Sequence, residues 1–299
     1  MSENDSVAGA LPWMPLLPWQ TRVAAELLAK RETFPHALLI HGPRGLGKHA
    51  LALGLAQGLL CETPRADGLG CGTCPGCHYA IAGQHPDLMR LELQQIDEET
   101  GDLESVDHIK IDRVRGVIAA LELSSHRQRA RVAVIAPAER MNPEAANALL
   151  KTLEEPPAGA YLILVSDAPA RLPATIVSRC RKLAAPRPSA DEAKAWLEAQ
   201  DVPDADLALA QAGGAPLAAF AHTDPGVREE RRAWVAALSD PDRLSVTVLA
   251  ARIDAAGKDL RRARLAWVVD WLIAWTADLA RVAAGGTARQ NPDAARALS

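Results

Sequence analysis

The chain has 299 residues, 48% of them hydrophobic, which suits two or three domains with packed cores. Its net charge of −4 excludes a uniformly basic nucleic-acid wrapper but leaves room for a local basic patch. Aromatics make up only 4%, and seven of the eleven are Trp, so Leu, Ala and Val carry most of the packing.

The first ten residues, "MSENDSVAGA", are polar and acidic and carry no signal-peptide pattern. "LPWMPLLPW" (11–19) is too short and too Pro-rich to span a membrane, so a cytoplasmic location is expected. Residues 20–32 have helical spacing. "HALLIHG" (36–42) reads as a buried strand entering a Gly-rich turn, and residues 48–61 as the helix leaving it. Residues 61–78 are rich in Cys, Gly and Pro, without helical or strand period. Residues 107–123 read as a short strand edge feeding an amphipathic helix, and 129–137 as a buried strand. Residues 142–157 form a helix that Pro156 and Pro157 stop, and 160–169 another buried strand. Strands alternating with helices predict an α/β fold with a parallel sheet covered on both faces.

After about residue 185 the pattern is all helix. Residues 189–200 open on an N-cap Ser189 followed by acids, and "GGAP" (213–216) punctuates a small helical unit. Ala/Leu/Arg/Trp helices run on from about 226, and Asn291-Pro292-Asp293 carries the cap signal of one more helix. The expected division is 1–184, an α/β domain with a cysteine module at 61–77; 185–225, a small helical domain; and 226–299, an all-α domain whose last cap signal leaves its completeness open.

Cys61, Cys71, Cys74 and Cys77 crowd together, with two C-x-x-C spacings and glycines that permit tight turns. In a cytosolic chain this favours a metal over disulfides. A closed set of four thiolates is the structural zinc pattern; an iron–sulfur cluster also fits four cysteines, and a redox pair fits one C-x-x-C. The expectation is Zn²⁺ in an architectural role, with the nearby His78 and His85 as solvated loop residues.

"HGPRGLGKH" (41–49) sets Gly42, Gly45, Gly47 and Lys48 on a phosphate-loop frame. The next position should supply a Ser or Thr hydroxyl to Mg²⁺ and is His49, whose imidazole suits softer metals. After "VAVI" (132–135) an engine of this kind carries an acidic pair, and here Ala136 and Pro137 stand instead; Glu139 is expected to point elsewhere. Three roles stay open on the residues alone: nucleotide binding without turnover, a scaffold that has lost binding, and an ATPase.

"AANALLKTLEEPP" (145–157) followed by Ser178-Arg179-Cys180 resembles the clamp-loader branch of the AAA+ superfamily, as do "LPWQ", "HALLIHG" and the cysteine insert. The missing acidic pair beside a retained Ser-Arg-Cys is similar to the non-hydrolysing end subunit of the bacterial DNA polymerase III loader. The resemblance covers roughly residues 15–220. It implies an AAA+ P-loop domain, a lid and an oligomerisation domain, in a pentamer that sets a sliding clamp on primed DNA. Expected partners are the gamma/tau and delta subunits, the clamp, and DNA through the assembled complex, with no membrane. It further implies that Arg179 reaches a neighbour's ATP as an arginine finger, while ATP binding by this chain itself is doubtful.

Other positions fit a chain that does not hydrolyse. Ser166, ending "LVS", could still bond a phosphate, but no Arg follows "GGAP", where active relatives carry one directed at their own nucleotide. Lys110, Arg113, Arg115, Arg127, Arg129 and Arg131 form either a duplex-phosphate patch or an ordinary solvated face. The alternative function is an active AAA+ ATPase subunit using its own P-loop.

Overall fold

The computed structural model describes residues 13–96, 103–127, 129–239, 245–255 and 258–298. The polar N-terminal stretch read for a signal peptide lies outside the described residues. Two compact units divide between Arg187 and Pro188.

The strands of the first unit are β1 (Ala37–His41), β2 (Leu88–Leu91), β3 (Gln94–Ile96), β4 (Leu103–Ser105), β5 (Arg131–Ile135), β6 (Ala160–Ser166) and β7 (Arg181–Ala184). Its helices are α1 (Thr21–Leu28), α2 (Lys48–Leu60), α3 (Pro75–Ile81), α4 (Ile111–Glu122), α5 (Pro143–Glu154) and α6 (Ala174–Val177). Five strands pair in parallel in the order β2-β5-β6-β1-β7, while β3 and β4 form a separate antiparallel pair. This is the expected α/β architecture, a parallel sheet with helices on both faces.

The central strands are continuous apolar runs because both faces of the sheet are covered. On one face Leu39, Ala133, Ile135, Leu162 and Leu164 pack against Val114, Val117 and Leu121 of α4 and Leu149 and Leu153 of α5. Leu38 and Ile40 alternate to the other face and are equally buried. There α2 lies against β1, β5 and β6, and it is apolar almost all round, as a wholly buried helix must be. Helix α5 starts where the Asn142 side chain accepts the Ala145 N–H (2.9 Å), with Pro143 at its first position.

Four local features differ from the sequence reading. β2 ("LMRL") and β7 ("RKLA") are edge strands, each paired on one side only, and their charged, half-exposed residues hide the apolar run that marks an inner strand. Residues 107–110 form no strand; Ile109 makes one parallel bridge to Met141. A short helix, α3, stands inside the cysteine module, capped by the Cys74 sulfur.

The second unit is helical: α7 (Ala190–Glu198), α8 (Ala205–Gln211), α9 (Pro216–Ala221), α10 (Pro225–Leu238), α11 (Val246–Asp254), α12 (Lys258–Ala283) and α13 (Ala295–Leu298). Ser189 and Glu192 cap α7 reciprocally, at 3.2 and 2.8 Å. Leu197, Val202, Leu209 and Ala219 form one core, and Trp234, Val268, Trp271, Trp275 and Leu298 another. Asp278, fully buried on α12, accepts the backbone N–H groups of Arg289, Gln290 and Asn291 at 2.8–2.9 Å. Burial alone would raise its pKa, but these hydrogen bonds outweigh burial and hold the carboxyl below its ordinary value. Among the described residues, no helix is long and apolar enough to cross a membrane.

Candidate functional site: a phosphate loop, a cysteine cluster and Arg179

The loop between β1 and α2 has the left-handed turns of a phosphate cradle, with Gly45 at φ 80° and Gly47 at φ 81°. Gly47 is required twice over, since a Cβ there would lie 2.2 Å from Leu17 Cδ1. The segment "LPWQ" holds the loop from outside. Gln20, wholly buried, donates through Nε2 to Leu46 O (3.0 Å) and Gly47 O (2.8 Å), and Trp19 Nε1 donates to Leu46 O (3.2 Å). The sequence placed these two residues in a matching motif but gave no contact for them.

Lys48 is only 4% exposed and its ammonium is held within the chain. It donates to Pro43 O (2.6 Å) and pairs with Asp167 Oδ1 (2.6 Å), while Arg44 Nε reaches Asp167 Oδ2 (3.1 Å). Asp167 was not singled out in the sequence, because only the register of β6 beside β1, with Ser166 opposite His41, brings it to the loop. Ser166 itself is fully buried and accepts the Ala168 N–H (3.2 Å), a local turn contact. Glu139 bonds the Asp167 backbone N–H through Oε1 (3.1 Å), so it steadies the residue that faces Lys48.

The metal half of the site has a different chemistry. His49 Nε2 lies 3.3 Å from Glu92 Oε1, without hydrogen-bond geometry, and Glu92 is buried and paired with Arg90 (2.7 Å). Ala136 and Pro137 follow β5 at the place where acidic ligands would stand. Pro216 and Leu217 open α9.

Cys61, Cys71, Cys74 and Cys77 come together with all sulfurs within 4.8 Å of one another. Cys61 and Cys74 Sγ are 3.8 Å apart, and Cys71 and Cys77 Sγ 4.0 Å. Zn–S bonds of about 2.3 Å put tetrahedral sulfurs about 3.8 Å apart, so the set fits a closed zinc site. Backbone N–H groups of Cys71, Cys74 and Cys77 point at these sulfurs at 3.3–3.4 Å, as suits thiolates. Hydrogen bonds from Thr63 and Thr73 lower the Cys71 thiol to about 5, whereas burial raises Cys61 and Cys77. His78 is exposed as expected but stands on α3, not in a loop, and His85 is 3% exposed, with its Nδ1 accepting the Asp87 N–H (3.1 Å). Burial pushes its pKa down, so it is a neutral packing residue.

Most of the basic residues considered for DNA are engaged inside the chain. Arg127 binds Glu62 (Nε, 2.7 Å) and lies over the Tyr79 ring at 5.3 Å, and Arg129 donates to Glu62 O, which fastens the cysteine module. Arg131 donates to Leu121 O, Leu123 O and Ala158 O, and Arg113 to Glu92 O (2.6 Å). Lys110 and Arg115 are exposed.

Arg179 follows α6 in the turn before β7, with its side chain 34% exposed. Its Nε donates to Glu154 Oε1 at the end of α5 (2.7 Å), and an Nη donates to Thr175 O (3.0 Å). The two motifs of the resemblance, "LEEPP" and "SRC", therefore meet in space. Cys180 beside it is buried, which pushes its thiol up to about 11 and makes it a packing residue.

A family profile described as "DNA polymerase III, delta subunit" matches residues 21–188. The chain is 39% identical over 221 residues to the DNA polymerase III subunit delta' of Pseudomonas aeruginosa, covering 72% of this chain and 64% of that protein. It is 37% identical over 189 residues to the Escherichia coli subunit delta', covering 62% and 54% respectively. The subunit tau of Salmonella typhimurium is 34% identical over 145 residues, 48% of this chain and 21% of that protein. The matches thus span between about half and two thirds of the delta' relatives' length. The matched stretch runs from α1 to the end of the α/β unit and carries the loop, the cysteines and Arg179 alike: the chain belongs to the DNA polymerase III delta' subunit family.

Proposed function

We propose that this chain is a clamp-loader subunit that does not hydrolyse ATP and supplies Arg179 in trans to nucleotide held by a neighbouring gamma/tau-type subunit. The observation that carries the reading is the contrast between the two halves of the chemistry. The chain's own loop keeps Lys48 but offers His49, Ala136 and Pro137 where Mg²⁺ needs oxygen ligands. Arg179, by contrast, is partly exposed and held in one orientation by Glu154 and Thr175 O. A planar, always-charged guanidinium presented this way stabilises charge that develops on a transferring phosphoryl group.

Cys61, Cys71, Cys74 and Cys77 would hold Zn²⁺, which supplies structural closure of the module and no catalytic step. The division proposed is an AAA+ domain over 1–184, a lid over 185–225 and an oligomerisation domain over 226–299. The delta subunit, a sliding clamp and primed DNA complete the assembly in which the finger acts.

The test is ATP turnover by a loader reconstituted with gamma/tau, delta and Arg179→Ala. Turnover should fall by about tenfold or more at the site this chain faces. Unchanged turnover removes the finger.

A further inference from the structure

Lys48 is an almost wholly buried cation, and such a charge needs a partner. In a working phosphate loop that partner is the nucleotide's phosphate. Here it is Asp167, whose Oδ1 meets Lys48 Nζ at 2.6 Å and whose Oδ2 meets Arg44 Nε at 3.1 Å. One carboxylate thus bridges two cations of the loop, as two oxygens of a phosphate would.

The placement is built into the fold. β6 runs parallel to β1 with Ser166 opposite His41, so the next residue emerges at the mouth of the loop. The peptide groups on either side are tied down, Asp167 N–H to Glu139 Oε1 (3.1 Å) and Ala168 N–H to Ser166 Oγ (3.2 Å).

We propose that Asp167 is an internal anion for the phosphate loop, filling the place of a nucleotide's phosphates and competing with them in cis. The inference rests on reading the loop as non-catalytic and adds a cause to that reading. Missing Mg²⁺ ligands explain lost hydrolysis, but they do not by themselves prevent a lysine and a ring of N–H groups from binding a polyphosphate. A tethered carboxylate prevents it in two ways. Its ordering cost is met on folding, so it holds Lys48 at high effective concentration. An arriving phosphate also meets a like charge beside the cation it needs.

The test uses the purified full chain, titrated calorimetrically with pyrophosphate and then ATP, with and without Mg²⁺. Asp167→Asn keeps the shape and removes the charge, leaving a buried ammonium in want of an anion. It should bind pyrophosphate at least about tenfold more tightly than the wild type. Adding Lys48→Ala to that variant should return binding to the wild-type level. Equal binding by wild type and folded Asp167→Asn overturns the proposal, as does a gain that survives loss of Lys48. A second measurement needs no variant: acetylation of Lys48 followed by mass spectrometry should be slow in the wild type and unchanged by millimolar pyrophosphate, on the order of typical weak anion affinities. Protection of Lys48 by pyrophosphate in the wild type also overturns it. Arg179 is judged by turnover of the assembled loader and Asp167 by binding to the isolated chain, so either reading can fail alone.

Discussion

Glu154 Oε1 accepts a hydrogen bond from Arg179 Nε at 2.7 Å, joining the last residue of α5 to the turn that leads into β7. The pair is partly exposed, at 52% and 34%, so it orients the guanidinium more than it stabilises the fold. Glu154→Gln should therefore lower unfolding stability by no more than about 1 kcal/mol, read by urea denaturation. In a reconstituted loader it should slow ATP turnover less than Arg179→Ala does, because the guanidinium remains. Equal loss from both would make Glu154 as necessary as the arginine.

The clamp on the phosphate loop gives a stability prediction. Gln20→Ala would remove one hydrogen bond each from the buried carbonyls of Leu46, which keeps Trp19 Nε1, and Gly47, which keeps the Leu51 N–H. The expected cost is about 1–3 kcal/mol, measured by the shift of the urea midpoint at constant slope. A neutral result would show that water replaces the amide.

Metal content is expected to be about one zinc per chain by mass spectrometry of the native protein or by elemental analysis. Cys74→Ser should abolish stoichiometric zinc and expose residues 61–81 to proteolysis through loss of the metal alone, since serine can still cap α3. Iron with visible absorption would replace the zinc reading.

Asp278 makes the second unit sensitive to acid. Its folded pKa lies below the ordinary value of 3.8, so its contribution is present above that value and is lost as pH falls through the folded pKa. Trp271 Nε1 donates to Asn291 Oδ1 (3.2 Å), and Asn291 is bonded to Asp278, so the fluorescence of the clustered Trp234, Trp267, Trp271 and Trp275 should report loosening below about pH 4. Asp278→Asn should destabilise the unit at neutral pH by roughly 2–4 kcal/mol and flatten that acid transition.

The inner sheet, the helix starts and the cysteine set were legible in the sequence because each rests on a local rule. Apolar runs gave β1, β5 and β6, the Pro156-Pro157 stop gave α5, the Ser189 cap gave α7, and C-x-x-C spacing gave the cluster. What escaped depends on residues far apart in the chain. β2 and β7 have too few inward-facing residues to announce themselves, being paired on one side only. His85 looked like a solvated loop residue and is buried beside Gly76, where an added Cβ would lie 3.6 Å from its Nε2. The arginines at 127, 129 and 131 looked like a surface patch and are fasteners for Glu62 and for three backbone carbonyls. Asp167 carried no motif at all, and only strand register shows what it faces.

The hold that Trp19 and Gln20 keep on Leu46 O and Gly47 O has a mechanical consequence. A loop that exchanges nucleotide must soften and stiffen with each turn of its cycle, and its surroundings must tolerate both states. Here the carbonyl side is braced by an indole and an amide, and the cation side by a carboxylate from the same chain. Such a loop has little left to gain from a ligand and little motion to pass on. Such stiffness is what the proposed role, a fixed support for Arg179, would call for.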